Sequence, residues 1–296
     1  MNDKFKGTGV ALVTPFSQDG SIDYDGLSNL IEHVIAGGVD YLVSLGTTGE
    51  SATLSNEEKA EVLAFTVEKT AKRLPVVGGF GGNNTQEIID SVNNASLEGV
   101  DAILSVSPYY SKPTQNGIYA HYMALAENSP LPIIIYNVPA RTASNITADT
   151  TLRLATDSDK FLGIKEASGD LIQCMDIVNK RPNKNFLVIS GEDALTLPMT
   201  SFGMDGVISV IANALPNEFA GMTRSSLKGE FKEATALHFQ LLETIKMIFT
   251  EGNPGGIKAL LEIMGVCNST MRLPLAPISK ELYSKLELSV KKITVS

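Results

Sequence analysis

The sequence predicts a (β/α)8 barrel, the TIM-barrel form of the α/β class, followed by a C-terminal helical addition. Short, β-rich apolar segments alternate with longer segments of helical periodicity over roughly the first three quarters of the chain. Eight strand candidates can be counted, which is the number that a closed barrel requires. Such a barrel uses about 250 residues, so a chain of 296 residues leaves some for the addition.

The strand candidates follow one another between the helical patterns. In chain order they cover residues 8–16, 40–46, 75–81, 101–108, 132–138, 161–168, 186–192 and 206–211. A near-continuous apolar run such as "PIIIYNV" in the fifth candidate is typical of a parallel strand that is covered on both faces.

Helical periodicity is clearest in residues 56–72, and it dominates the chain after Leu215. The later helical segments cover residues 216–228, 230–250, 254–264 and 279–292. We therefore expect residues 1–228 to form a catalytic barrel and residues 229–296 to form a helical domain. A doubly wound open sheet is the alternative, but no Gly-x-Gly-x-x-Gly follows the first strand; "SQDGSID" there is typical of a turn and a helix N-cap.

Composition excludes several classes of function. A net charge of −9 disfavours nucleic acid and anionic membranes as partners. The two cysteines, Cys174 and Cys267, form no CxxC motif and have no histidine at ligand spacing, so we expect neither a disulfide nor a metal site. No cofactor is indicated. The polar N-terminus and the absence of an apolar run of about 18 residues predict a soluble, cytoplasmic protein.

Polar residues gather where the predicted strands end, which is where barrels of this type carry their working groups. "GTTGES" at 46–51 by itself is most simply a turn and an N-cap, although its hydroxyls and amides can also hold a carboxylate. The glycine-rich segment 78–85 lacks the ending of a phosphate loop. Tyr109 and Tyr110 follow the fourth strand; Tyr136 and Arg141 lie at and after the end of the fifth.

Lys165, in "FLGIKEASGD", lies within the sixth strand pattern. A strand lysine usually snorkels to a rim, but a closed barrel has no edge for it to reach. Burial disfavours the charged amine, and a neutral amine can attack a ketone to form a Schiff base. Tyr136, Thr47 and Thr48 are suitable helpers, whereas Glu166 should face away from Lys165. All three histidines fall in helical patterns, which argues against a histidine base.

Six ordered motifs resemble the pyruvate-dependent class I aldolases, the family of N-acetylneuraminate lyase. They are "GTTGES" at 46–51, "SPYY" at 107–110, "YNVPART" at 136–142, "GIKEAS" at 163–168, "SGED" at 190–193 and "GVISV" at 206–210. The resemblance runs from Gly7 to about Pro277 and implies the same barrel with C-terminal helices, commonly as a homotetramer built from two dimers.

The resemblance also implies roles for single residues. Lys165 would form the Schiff base with pyruvate, and Tyr136 would be the general acid and base. A proton relay would include Thr47 and Tyr110, the latter reaching the site of a neighbouring subunit. The substrate-binding positions would be Thr48, Arg141, Gly191 and the backbone of Ile208.

Two residues distinguish branches of the family. Relatives that act on sialic acid or sugar acids typically have serine at the position of Thr47 and lack an arginine like Arg141. The resemblance therefore favours condensation of pyruvate with L-aspartate 4-semialdehyde in lysine and diaminopimelate biosynthesis. N-acetylneuraminate lyase or a sugar-acid aldolase is the runner-up, and a barrel that binds a keto acid without turnover is the alternative from another class.

Feedback inhibition by lysine is expected to be weak or absent. The residues that match allosteric positions of the family are Ser51, Ala52, Asn83, Glu87 and Tyr109. Lysine-inhibited relatives often have histidines where this chain has Asn56 and Lys59, and a fixed cation at Lys59 should repel a lysine ligand.

Overall fold

The computed structural model describes residues 2–294 and contains a closed barrel of eight parallel strands. The strands lie in chain order around the barrel, and β1 pairs with β8 to close it. Their bounds are β1 Gly7–Ala11, β2 Tyr41–Ser44, β3 Val76–Gly79, β4 Ala102–Val106, β5 Ile133–Asn137, β6 Phe161–Glu166, β7 Leu187–Ser190 and β8 Gly206–Ser209. The predicted fold class is therefore confirmed.

Helices cover the outside of the barrel and form the C-terminal addition. Their bounds are α1 Tyr24–Ala36, α2 Asn56–Thr70, α3 Thr85–Asn94, α4 Gln115–Asn128, α5 Pro139–Thr142, α6 Ala148–Asp157, α7 Leu171–Lys180, α8 Thr196–Ser201, α9 Pro216–Leu227, α10 Phe231–Phe249, α11 Gly255–Ile263 and α12 Lys280–Thr294. Within the described residues, no helix combines the length and the apolar character that a membrane span requires.

Local sequence signals account for where several helices begin. Asp23, at the end of "SQDGSID", caps α1 by accepting a hydrogen bond from the Gly26 N–H. Ser55 and Glu58 form a reciprocal capping box at the start of α2. The turn and N-cap predicted after the first strand are thus present, and the strand leads into a barrel helix.

The first strand is shorter than its sequence pattern suggests, since it ends at Ala11 rather than at residue 16. The apolar run continues because Leu12, Val13 and Phe16 are buried in a loop, in the same hydrophobic cluster as side chains of the C-terminal helices. An apolar run indicates that its residues are buried, and after β1 the buried residues continue beyond the end of the strand.

Alternation along β6 separates two apolar layers. Ile164 packs in the layer between strands and helices. The next residue of β6, Lys165, pairs with Tyr136 of β5 and Ile189 of β7, and both of these partners belong to the cluster inside the barrel. Phe5 closes the opposite end of this interior, where its ring meets Tyr41 edge to face at 5.6 Å. The inward residues near the carboxyl ends of the strands are therefore the ones that can meet a ligand.

The C-terminal addition consists of α10, α11 and α12. Its apolar side chains, among them Leu241 and Leu260, share one hydrophobic cluster with barrel residues such as Val10 and Phe219. The end of α9 at Leu227 fits a boundary between residues 228 and 229. Division into two domains at that point stays a prediction, because the core is continuous across it.

Candidate active site

Lys165 and Tyr136 meet inside the barrel. Each is the penultimate residue of its strand, and they are direct partners in the register of β5 and β6. Lys165 is 5% exposed and Tyr136 is 7% exposed. The Lys165 Nζ lies 4.3 Å from the centroid of the Tyr136 ring. A nearly buried amine thus has an aromatic phenol as its immediate neighbour.

Glu166 lies on the opposite face of the same strand, as the alternation predicts. Its carboxylate accepts hydrogen bonds from Asn137 Nδ2 at 3.0 and 3.1 Å, from Gln173 Nε2 at 3.0 Å and from the Ser168 N–H at 2.8 Å. Burial raises the pKa of Glu166, and these donors partly offset the rise. The Glu166 carboxylate therefore links β6 to β5 and to α7.

Gly191, directly after β7, provides the space that the lysine side chain occupies. A Cβ at this position would lie 2.5 Å from the Ala167 Cβ and 3.0 Å from the Lys165 Cε. The Gly191 N–H donates to the Glu166 carbonyl at 2.8 Å, so the backbone has little freedom to move away. Absence of a side chain at Gly191 is what allows the Lys165 stem to pass.

Two acidic residues near Lys165, Glu192 and Asp193, were not assigned a role in the sequence prediction. Burial raises the pKa of both Glu192 and Asp193, and the charge of Lys165 acts in the opposite direction on each. Asp193 accepts hydrogen bonds from the backbone N–H groups of Val210 at 3.0 Å and Ile211 at 2.8 Å. It thereby links the segment after β7 to the segment after β8.

The threonine turn, defined as the 3₁₀ turn Thr47–Gly49, follows β2 at the same end of the barrel. Thr48 is buried, and its Oγ1 accepts a hydrogen bond from Asn253 Nδ2 at 3.0 Å. Thr47 is exposed, and in the described part of the chain its hydroxyl makes no hydrogen bond with the Tyr136 phenol. The relay through Thr47 stays a prediction.

Arg141 lies in α5 after the fifth strand, with an exposed side chain. Its Nη2 donates to the Asn253 carbonyl at 3.4 Å, and its charge lowers the pKa of Glu192 against the larger effect of burial. Asn253 thus connects Arg141 to Thr48. Ile208 is an inward residue of β8 and belongs to the interior cluster.

Tyr110 projects away from its own barrel. It is 89% exposed and has a φ of +69°, and its neighbour Tyr109 is 40% exposed. Two large aromatic side chains exposed side by side are unusual on a surface that contacts no partner. A role at the Tyr136 phenol would require Tyr110 to reach another copy of the chain.

The remaining predicted positions lie beside this end of the barrel. They belong to the segments that follow β2, β3 and β4, which are adjacent strands. In order they are Ser51 and Ala52 in a 3₁₀ turn, Asn56 and Lys59 in the first turn of α2, Asn83 before α3, Glu87 in the first turn of α3, and Tyr109 after β4. An allosteric role for these residues stays a prediction.

Histidine and cysteine chemistry has no place in this arrangement. His33, His121 and His238 lie in α1, α4 and α10, as the sequence predicts. Both cysteines are free, and burial raises the thiol pKa of each to about 12. Across residues 2–294, no group of three or more potential ligands among His, Cys, Asp and Glu could hold a metal ion.

The sequence interpretation missed a second buried lysine. Lys258 of α11 is fully buried and pairs with the fully buried carboxylate of Glu50, the residue after the threonine turn. No periodic pattern can link positions so far apart in the chain. The acidic residue in "GTTGES" and the lysine in "NPGGIK", at 253–258, were the available signals, but neither predicted a contact.

Comparisons with known proteins find relatives along nearly the whole chain. The model of the dihydrodipicolinate synthetase family matches residues 4–293. The 4-hydroxy-tetrahydrodipicolinate synthase of Flavobacterium psychrophilum is 50% identical over 98% of this chain and 99% of its own length.

Solved structures give the same picture. The crystal structure of dihydrodipicolinate synthase from Aquifex aeolicus has a TM-score of 0.94 and 41% identity, covering 98% of each chain. The structure of the enzyme from Cyanidioschyzon merolae with lysine bound has a TM-score of 0.94 and 35% identity, covering 99% of each chain. Similarity at this level spans the barrel and the C-terminal addition alike.

Proposed function

The chain belongs to the dihydrodipicolinate synthetase family, and from that premise we propose that it condenses pyruvate with L-aspartate 4-semialdehyde. It is then a Schiff-base-forming lyase, a 4-hydroxy-tetrahydrodipicolinate synthase of lysine and diaminopimelate biosynthesis. The observation that carries the proposal is the nearly buried Lys165 amine 4.3 Å from the Tyr136 ring centroid, at the carboxyl ends of paired strands.

In the first half of the reaction, the neutral Lys165 amine attacks the keto carbon of pyruvate. Loss of water from the carbinolamine leaves an imine, and both steps need a group that moves protons at the amine. Tyr136 is the neighbouring phenol and takes this role. Thr47 and a Tyr110 from a second subunit relay its proton to solvent.

In the second half, removal of a methyl proton converts the imine into an enamine, whose carbon attacks the aldehyde of the second substrate. Thr48 and the backbone at Ile208 hold the pyruvate carboxylate, and Gly191 leaves room for the adduct. Arg141 binds the carboxylate of aspartate semialdehyde through its guanidinium fork. Its exposed position supports a role with the substrate that enters second.

We propose a homotetramer, a dimer of dimers, and a cytoplasmic location, where free pyruvate is available. The 89% exposed Tyr110 ring supports an interface that brings it to a neighbouring site. We also propose weak or absent inhibition by lysine, because the ammonium of Lys59 would repel a cationic ligand among the residues that follow β2, β3 and β4.

Parallel assays of pyruvate condensation with aspartate semialdehyde and of sialic-acid cleavage test the proposal. We expect condensation only, and we expect Arg141→Ala to raise the KM for aspartate semialdehyde while leaving that for pyruvate unchanged. Arg153→Ala is the matched control, since that guanidinium packs on the Tyr119 ring 3.6 Å away on the outer surface. Sialic-acid cleavage would favour the sugar-acid branch, and binding of pyruvate without turnover in either assay would favour a non-catalytic barrel.

A further inference from the structure

The threonine turn is anchored to the C-terminal addition by a buried ion pair. The Glu50 carboxylate meets the Lys258 ammonium, and both side chains are 0% exposed. Lys258 Nζ also donates to the Thr270 carbonyl at 2.8 Å and lies 4.2 Å from the centroid of the Phe16 ring. The second Glu50 oxygen accepts from the Arg272 N–H at 3.3 Å. Each charge is therefore held from several directions.

A second link joins the same two regions. Asn253, two residues before α11, donates from Nδ2 to Thr48 Oγ1 at 3.0 Å. Its carbonyl accepts from Arg141 Nη2 at 3.4 Å. One short segment of the C-terminal addition thus contacts a proposed pyruvate-binding residue and a proposed aldehyde-binding residue, and α11 supplies the lysine for Glu50.

The backbone around the turn needs such support. Leu45 and Glu50 flank it with φ values of +60° and +52°, in the left-handed region that non-glycine residues rarely adopt. A conformation of this kind persists only when surrounding contacts determine it. Glu50 is both one of the strained residues and the one whose carboxylate enters the buried pair.

We propose that Glu50, Lys258 and Asn253 are positioning residues, through which the C-terminal addition fixes the threonine turn relative to the Lys165 amine. A buried ion pair contributes little to stability compared with apolar side chains of the same size, so its location beneath the turn is better explained by the geometry it imposes. The proposal rests on the proposed function, because the turn matters only if Thr47 and Thr48 serve the pyruvate reaction.

The test removes both charges together with Glu50→Gln and Lys258→Met, which leaves no unpaired buried charge. The matched control is Asp205→Asn with Arg181→Met. That pair is also largely buried, with Arg181 Nη1 2.5 Å from Asp205 Oδ2, but it precedes β8 at the opposite end of the barrel. For both proteins one measures Tm, kcat, the KM for pyruvate and borohydride trapping on Lys165.

We expect the Glu50 and Lys258 variant to keep trapping pyruvate on Lys165 while kcat/KM for pyruvate falls about 10- to 100-fold, the effect of misplacing binding groups by about 1 Å. The control should keep both kinetic constants of the wild type, whatever its Tm. Wild-type kinetic constants in the folded test variant, whatever its Tm, would overturn the positioning role.

Asn253→Ala tests the same positioning role with a single substitution, which is needed if the double variant does not fold. It removes one hydrogen bond, so we expect a several-fold rise in the KM for pyruvate, and an unchanged KM would overturn the proposal. Failure of the proposed function has a different signature. In that case the wild-type protein itself forms no Lys165 adduct and no condensation product.

Discussion

Replacing Gly191 with alanine should misplace the Lys165 amine. The added Cβ would lie 2.5 Å from the Ala167 Cβ and 3.0 Å from the Lys165 Cε. Carbon atoms pack at about 3.5–4.0 Å, so one or both neighbours must move by roughly 1 Å. The hydrogen bond from the Gly191 N–H to the Glu166 carbonyl keeps the backbone in place. The flexible Lys165 side chain is therefore the group that moves.

The expected cost has two parts. Overpacking of this kind destabilises by about 1–3 kcal/mol, which a thermal unfolding curve detects. Misplacement of a reacting atom by about 1 Å lowers the rate roughly 100-fold. We therefore expect the loss of kcat/KM to be much larger than the loss of stability alone would produce.

The assay compares initial rates of borohydride trapping with pyruvate, together with kcat/KM, in three variants. Gly191→Ala should be slow, and adding Ala167→Gly should restore part of the rate because it removes the 2.5 Å contact. Gly221→Ala is the control, since its added Cβ would meet only Leu237 at an ordinary 3.6 Å. A Gly191→Ala protein with wild-type trapping and turnover would refute the claim that this glycine makes room for the amine.

Three further outcomes follow from the site and its surroundings. Tyr136→Phe should lower kcat by about 10²- to 10⁴-fold and still trap pyruvate. The control Tyr122→Phe loses a buried hydrogen bond to the Ser105 carbonyl and should lose stability only. Full activity of Tyr136→Phe would exclude Tyr136 as the proton carrier. Burial lowers the pKa of His121 from 6.5 to about 4, so the unfolded chain binds a proton at a higher pH than the folded chain does. The free energy of unfolding should therefore fall by up to about 3 kcal/mol as the pH is lowered from 6.5 to 4. His121→Gln should reduce that slope in denaturant titrations across the window, and equal slopes would contradict the argument. A lysine titration of activity should show little inhibition, and strong inhibition at low lysine would show that Lys59 does not repel the ligand.

The positions of Lys165 and Tyr136 in the barrel were easier to predict from the sequence than the contacts around them. Lys165 and Tyr136 lie in strands, where a period of two residues and the closed barrel together determine which side chains point inward. The outward direction of Glu166 follows from the same rule. These are local patterns, and short segments of sequence contain them completely.

The supporting contacts were not predictable in this way. Glu50 meets Lys258, and Thr48 meets Asn253, over about two hundred intervening residues, so the contacts depend on how the C-terminal addition packs on the barrel. Strand lengths were overestimated for a related reason: Leu12 and Phe16 are as buried as strand residues although they lie in a loop. A role for Tyr110 in a second subunit likewise depends on assembly, which one chain does not specify.

Incubation of the protein with pyruvate and borohydride, followed by peptide mass mapping, tests the central claim most directly. We expect one reduced pyruvate adduct, on Lys165, and none in Lys165→Ala. Lys258 is an internal control, because it is also buried but is held by Glu50 and the Thr270 carbonyl. An adduct on Lys258 or on any other lysine, or no adduct at all, would contradict the assignment of Lys165 as the Schiff-base residue.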